Sequence, residues 1–301
     1  MSTNLKTVEK PTRPILRYHG GKWNLAEWII SFFPDHKAYV EPFGGAASVL
    51  LQKARSKSEV YNDLDGEITG LFRVLRDPAQ ARELRRLLEL TLYARTEFES
   101  AFLTSADPIE AARRLIVRSF MGIGCNAVTR DGRGGIGKPQ TGFRSVLEPN
   151  GALRARGWME YPRDIKSFTE RLRGVVIEAL PALEAIRRFD STRTLFYCDP
   201  PYPKSTRDKG NDYRFEMSDD EHRELAGELR RAQGLIVVSG YACALYDEEL
   251  FADWHRESRA GFADRAKPRT EVLWLNDAAW TALNRERMQK TLFEQHSTSD
   301  I

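Results

Sequence analysis

Cysteine is scarce. There are three in 301 residues, Cys125, Cys198 and Cys243, and no two stand in Cys-x-x-Cys spacing. An odd number without paired spacing argues against a disulfide framework and for a reducing, cytoplasmic setting. The five histidines are scattered without metal-ligand spacing, so no metal is expected. No apolar run approaches the roughly 20 residues that cross a bilayer, so no membrane contact is expected. The opening residues, Met1-Ser2-Thr3-Asn4-Leu5, carry no signal-peptide apolar core. No internal repeat is present. Net charge is small as well, at +3, so the chain as a whole is neither strongly basic nor strongly acidic.

The composition suits a folded enzyme-sized chain. Hydrophobic residues make up 41%, enough for a sizeable core. The length fits one large α/β domain with an insertion, or two small domains. The small net charge hides an uneven distribution. Between Ala111 and Val175 there are 13 Lys and Arg against 5 Asp and Glu, an excess of +8 that leaves −5 for the rest. Eleven of the thirteen are arginines. Such a segment points to a polyanion contact, with an ordinary solvated basic surface as the alternative.

Patterning gives the order of elements. Residues 1–14 are polar and read as a loose arm. Leu25, Trp28, Ile29 and Phe32 recur with helical spacing, and Pro34 ends that helix. Lys37 to Val40 reads as a strand, followed by Gly44-Gly45, a helix through Ala46 to Leu51, and a strand at Glu59-Val60-Tyr61. This is a βαβ unit. Residues 67–118 look helical. Met121 to Pro149 is glycine-rich, threaded with arginine and without period, so a long loop or irregular hairpin is predicted. Strands return near Gly174 to Ile177, Thr194 to Cys198, Leu235 to Val238 and Thr270 to Leu275. A capping box, Ser218-Asp219-Asp220-Glu221, opens a helix running to Gln233. Residues 282–301 read as a short helix and tail.

Three clusters carry chemistry. Glu41-Pro42-Phe43-Gly44-Gly45 stands at the carboxyl end of the first strand, the edge where open α/β sheets bind ligands. Asp63 ends the next strand, where an acid suits the two hydroxyls of a ribose. The turn is not GxGxxG and offers no lysine for phosphates. Ribose without pyrophosphate points away from NAD and ATP and toward an adenosyl ligand such as S-adenosylmethionine; a structural turn with a surface aspartate is the plainer alternative. Arg17-Tyr18-His19-Gly20-Gly21-Lys22 lacks P-loop spacing. It reads as a glycine loop over a ligand, with Tyr18 packing and Lys22 within reach of polar groups, or simply as a helix-entry turn.

The third cluster is Asp199-Pro200-Pro201-Tyr202, directly after the apolar run Thr194 to Cys198. A carboxylate, a rigid backbone carbonyl and an aromatic face form a cradle for a flat ring bearing an amino group. The N6 amine of adenine is a poor nucleophile because its lone pair is delocalised. The Asp199 carboxylate and the Pro200 carbonyl can accept its two N–H groups and stabilise positive charge as it develops. The prolines fix the carbonyl direction, and Tyr202 can stack on the base. A methyl donor held in line then allows direct displacement. A target base inside a duplex must first be rotated out.

In their order and combination these residues resemble the N6-adenine DNA methyltransferases of the Dam type, the D12 class. The matching residues are Tyr18-His19-Gly20-Gly21-Lys22, Glu41-Pro42-Phe43-Gly44-Gly45, Asn62-Asp63, Asp199-Pro200-Pro201-Tyr202 and Arg269-Thr270-Glu271. The resemblance implies an α/β, Rossmann-like S-adenosylmethionine-dependent methyltransferase sheet with an inserted, mainly helical DNA-recognition domain. The catalytic domain is expected at 15–70 and 170–280, the insert at 71–169, and an arm and tail at 1–14 and 282–301. S-adenosylmethionine contacts are expected at Tyr18, Gly20, Gly21, Lys22, Glu41, Pro42, Phe43, Gly44, Gly45, Asp63 and Asp199, with S-adenosylhomocysteine as product. Asp199, Pro200 and Tyr202 are expected to hold a flipped adenine. Double-stranded DNA is the expected partner, with a restriction endonuclease as a further one, in a prokaryotic or phage-encoded cytoplasmic setting. The insert does not match the family's hairpin, so the resemblance assigns no target sequence. Arg130, Arg133, Lys138 and Arg144 are the candidates for DNA contact, and Lys204 to Tyr213 for a loop closing on the base. Alternatives are N4-cytosine, RNA or protein-glutamine methylation, and a catalytically silent DNA-binding relative. Cys198 reads as a packed thiol, His19 and His222 as hydrogen-bonded surface or turn residues, and Trp28 and Trp274 as core.

Overall fold

A computed structural model describes residues 10–124, 141–145, 154–207, 214–262 and 268–297. Arg130, Arg133 and Lys138 lie outside the described residues, as does most of the loop expected to close on the base. The apolar runs become one sheet: β1 (Ala38–Glu41), β2 (Ser58–Asn62), β3 (Val175–Glu178), β4 (Thr194–Cys198), β5 (Leu235–Tyr241), β6 (His255–Phe262) and β7 (Pro268–Leu275). Its order is β3-β2-β1-β4-β5-β7-β6. The first five are mutually parallel, β7 runs antiparallel to β5, and β6 antiparallel to β7. Chain order departs outward in both directions from the β1–β4 pair. The carboxyl ends of those two strands therefore flank the topological switch point, where open sheets bind ligands.

Alternation along the strands builds two cores. Tyr39, Leu195, Tyr197, Leu235, Val237 and Leu273 belong to one apolar cluster. Their chain neighbours Val40, Phe196, Cys198, Ile236, Val238 and Trp274 belong to the other. Period-two side chains with both faces covered are what central strands of an α/β sheet require. Cys198 is fully buried, and burial pushes its thiol well up, consistent with a packed rather than nucleophilic group.

Helix α1 (Ala26–Ile30) precedes β1, and the described residues of the connection from β2 to β3 form α2 (Gly66–Arg76), α3 (Pro78–Leu90), α4 (Arg95–Ser100), α5 (Pro108–Met121) and α6 (Arg154–Leu172). The capping side chains are local: Asp65, Asp77 and Asp107 each accept a backbone N–H at the start of α2, α3 and α5. Leu71, Leu84, Leu115, Trp158 and Phe168 from these helices share the first apolar cluster with the sheet. After α5, a narrow antiparallel contact forms, with Ile123 N–H donating to Gly142 (2.9 Å) and Arg144 N–H to Met121 (2.7 Å). Helices α7 (Ala182–Phe189), α8 (Asp219–Arg231) and α9 (Asp277–Ser297) complete the layers. The Ser218–Glu221 capping box is present at α8.

Several expectations need correction. Residues 46–51 form successive turns, not a helix. Ala47 has φ +52°, and the Leu50 N–H is taken by Glu41 Oε1 at 2.8 Å, so only isolated helical bonds form, such as Leu51 N–H to Ala47 at 2.9 Å, and no continuous ladder. Strand β6 and helix α7 had no clear signal, and α9 runs to Ser297 where a short helix and tail were expected. Trp28 is only half-buried, while Trp274 is fully buried. His222 is buried rather than superficial, with Nδ1 3.0 Å from the Tyr246 hydroxyl. Desolvation holds its pKa down to about 4. At the arm, Arg13 is pinned to Asp164 at 2.8 Å.

Candidate active site

All eleven residues expected around the cofactor line a single cavity of about 560 Å³ at the carboxyl edge of β1, β2 and β4. That size falls in the ordinary class of small-molecule sites. Two glycine segments shape it. At Gly44 an added Cβ would stand 2.1 Å from the Tyr61 ring, and at Gly45 φ is +47° with the Tyr18 ring 3.1 Å from the same position. Only glycine lets the turn after β1 pass between two aromatic rings. The Tyr18 loop is fixed from behind, since the Arg17 N–H donates to Ser119 Oγ of α5 at 2.6 Å.

The acids at the strand ends differ in role. Glu41 is buried, with Oε1 accepting from the Tyr39 hydroxyl (2.7 Å) and the Leu50 N–H (2.8 Å). Desolvation raises its pKa to about 7 against those hydrogen bonds. Asp63 takes one backbone N–H on each oxygen, from Asp65 and from Gly45, both at 2.8 Å. Desolvation raises it to about 6. Each oxygen keeps a second lone pair, and Asp63 lines the cavity. Asn62, quoted from sequence without a role, ties three strand ends together. Its amide donates to Pro42 (2.9 Å) and Leu180 (3.0 Å) and accepts from the Leu180 N–H (2.8 Å).

At the other end of the cavity stands Asp199. Its Oδ2 is 2.9 Å from Lys22 Nζ, and its Oδ1 accepts from Ser239 Oγ at 2.8 Å. Lys22 also donates to the Gly20 carbonyl at 2.7 Å and sits 4.7 Å from the centre of the Tyr202 ring. Pro200 and Tyr202 are buried and do not line the cavity; Pro201 does. The Tyr202 ring meets the edge of Tyr241 and its hydroxyl donates to Glu271 at 3.1 Å. Burial raises the Glu271 pKa, with Lys22 opposing. Tyr202 is therefore covered, by the Lys22 ammonium and the Tyr241 ring.

Some site residues had no sequence signal. Arg214, Phe215 and Met217 form a wall opposite the strand ends, and Arg214 reaches Asp65 at 2.8 Å. Ser239 stands inside an apolar strand, and only the break in the pattern, one hydroxyl after Leu235 to Val238, marks it. Glu271, quoted from sequence with Arg269-Thr270 but without a role, receives the Tyr202 hydroxyl. The basic segment is also less available than its count implies. Arg113 pairs with Glu97 and Glu110, Arg114 with Glu110, Arg118 with Glu67 and Arg171 with Glu59. Arg144 is half-buried at the contact after α5, and its carbonyl accepts from the Tyr93 hydroxyl at 2.8 Å. Among the described residues no group of three or more His, Cys, Asp or Glu could hold a metal, and no helix is long and apolar enough to cross a membrane.

The arrangement combines a hydroxyl-accepting acid, a buried ammonium–carboxylate pair and apolar walls from Phe43, Leu183 and Phe215. It suits an adenosyl ligand with a charged amino-acid end. Residues 18–121 match the family model described as D12 class N6 adenine-specific DNA methyltransferase. The chain is 24% identical over 262 residues to a DNA adenine methylase of Escherichia coli K12, covering 83% of this chain and 86% of that one. It is 25% identical over 209 residues to a DNA adenine methylase of Vibrio cholerae (65% and 68% covered). To a DNA N-6-adenine-methyltransferase of Escherichia phage P1 it is 24% identical over 260 residues. That match covers 78% of this chain and only 31% of the phage protein, so the chain spans about a third of that relative's length.

Proposed function

We propose that the chain is a Dam-type, D12 class N6 adenine-specific DNA methyltransferase that transfers a methyl group from S-adenosylmethionine to the N6 amine of an adenine rotated out of duplex DNA, by direct displacement. The observation that carries this reading is Asp199. Its carboxylate closes the cavity that also holds Asp63, Glu41 and the Gly44–Gly45 turn, and it is the only one of the four directly followed by the rigid Pro200-Pro201 pair.

S-adenosylmethionine fits the residues present and supplies an electrophilic methyl on a sulfonium. Asp63 accepts from the ribose hydroxyls through the second lone pair on each oxygen. Phe43 and Leu183 flank the ring, and Lys22 with Glu41 and Asp199 receive the zwitterionic end. Asp199 and the Pro200 carbonyl accept the two N6 hydrogens of the incoming base, localising the nitrogen lone pair and stabilising the charge that develops on it. Positioning supplies much of the acceleration, because holding two reactants in line removes the entropic part of the barrier.

The insert 71–169 is read as the DNA-recognition region, with Arg130, Arg133, Lys138 and Arg144 as phosphate or guanine contacts. The comparisons favour neither N4-cytosine transfer nor a silent relative. Methylation-sensitive sequencing of DNA from cells expressing the chain tests the reading. N6-methyladenine in a recurring sequence context is the expected result, and unmodified adenine overturns it.

A further inference from the structure

Residues 195, 197 and 199 leave β4 on one face of the sheet, and residues 235, 237 and 239 leave β5 on the same face. The parallel register pairs Tyr197 with Val237 and Cys198 with Val238, so Ser239 falls beside Asp199 one step further on. Leu235 and Val237 fill that face with hydrocarbon. Ser239 breaks the pattern with a hydroxyl that is 1% exposed. A buried hydroxyl without partners is costly, and this one has two. It donates to Asp199 Oδ1 at 2.8 Å and lies 2.9 Å from the Tyr197 hydroxyl.

The direction of the chain is fixed by counting protons. A carboxylate only accepts, so the single Ser239 proton goes to Asp199, and Tyr197 must donate to Ser239. The result is an ordered row, Tyr197 O–H to Ser239 O–H to Asp199. Lys22 holds the other carboxylate oxygen from the opposite side at 2.9 Å. Two contacts on two oxygens stop rotation of the carboxylate plane. One lone pair on each oxygen then remains for an arriving ligand.

We infer that Ser239 and Tyr197 are positioning residues for methyl transfer, a hydroxyl chain that orients the Asp199 carboxylate toward the target amine. This rests on the activity proposed above. Neither hydroxyl touches the reacting atoms. Their contribution is to the geometry of the acceptor; because Asp199 is also one of three groups at the cofactor's amino-acid end, affinity falls with it, but by less than the rate of transfer.

The test uses the full chain with S-adenosylmethionine labelled in the methyl group and unmethylated genomic DNA. It compares Ser239→Ala, Ser239→Thr and Tyr197→Phe with wild type. Ser239→Ala is expected to lower single-turnover transfer by ~10- to 100-fold, the scale of a small misplacement of a reacting group. S-adenosylhomocysteine affinity is expected to fall by about threefold at most, because Lys22 and Glu41 still hold the amino-acid end when Asp199 is turned. Ser239→Thr restores the hydroxyl and is expected to recover most of the rate, and Tyr197→Phe to fall between. Equal rates for wild type and Ser239→Ala overturn the inference. So does a loss of S-adenosylhomocysteine affinity in step with rate, or a threonine variant as slow as alanine. If Ser239→Ala does not fold, Tyr197→Phe, which deletes one oxygen, decides alone: a wild-type rate overturns the inference. Absence of adenine labelling by the wild type overturns the activity reading and this inference with it. Labelling that is equal across the variants overturns this inference only.

Discussion

Lys22 Nζ lies 2.9 Å from Asp199 Oδ2, joining a loop before the first strand to the residue after the fourth. The side chains are 5% and 18% exposed. The same ammonium lies 4.7 Å from the centre of the Tyr202 ring, a cation–π contact. Lys22 therefore links the cavity to Asp199 and the Tyr202 ring.

Removing the ammonium leaves Asp199 with Ser239 as its remaining partner across the cavity. Lys22→Met is predicted to cost about 3 kcal/mol in urea unfolding, the usual scale for stranding one member of a buried pair. Lys22→Arg is predicted not to restore transfer, because a planar guanidinium does not fit a point held by one carbonyl, one carboxylate and one ring face. Unchanged stability in Lys22→Met contradicts the role of the pair as the link between the two halves of the site.

The chemical half of the site was legible because its residues are contiguous in sequence. Asp199-Pro200-Pro201-Tyr202 follows an apolar run whose bounds coincide with β4, Thr194–Cys198. Ser218 and Glu221 announced α8 through a local capping box. What escaped depends on distance in sequence. Ser239 matters only because β5 lies beside β4, and Glu271, quoted within Arg269-Thr270-Glu271, gains a role only through its contact with Tyr202. Residues 46–51 look helical by composition, yet Glu41 captures the Leu50 N–H. Strand β6 is written His255-Arg256-Glu257-Ser258-Arg259, and polar edge strands carry little hydrophobic signal.

Acid and base move the stability of the ligand-free protein through Glu41. Its folded pKa of about 7 exceeds the ordinary 4.5, so the folded state binds the proton more tightly. That stabilisation is fully present below pH 4.5 and is lost as pH rises through 7. At 1.36 kcal/mol per unit, the change amounts to about 3 kcal/mol. Asp63, raised from 3.8 to about 6, acts with the same sign over a lower window. Urea titrations from pH 5 to 8 are predicted to show a steeper fall for wild type than for Glu41→Gln. Parallel curves contradict the assignment of a buried, proton-binding carboxyl at the cavity.

DNA affinity is predicted to depend on the basic segment through salt. If Arg130, Arg133 and Lys138 meet phosphates, each alanine substitution lowers the slope of log affinity against log salt by about 1. Affinity should fall to a similar degree on all duplex sequences. Slopes identical to wild type for all three variants remove these residues from the interface.

The most direct test of the central claim is transfer of a tritiated methyl from S-adenosylmethionine to unmethylated duplex DNA by wild type and Asp199→Ala, with the labelled base identified after digestion. Wild type is predicted to yield labelled N6-methyladenine, and Asp199→Ala to yield almost none. Equal labelling by the two proteins, or label recovered in N4-methylcytosine, contradicts the account.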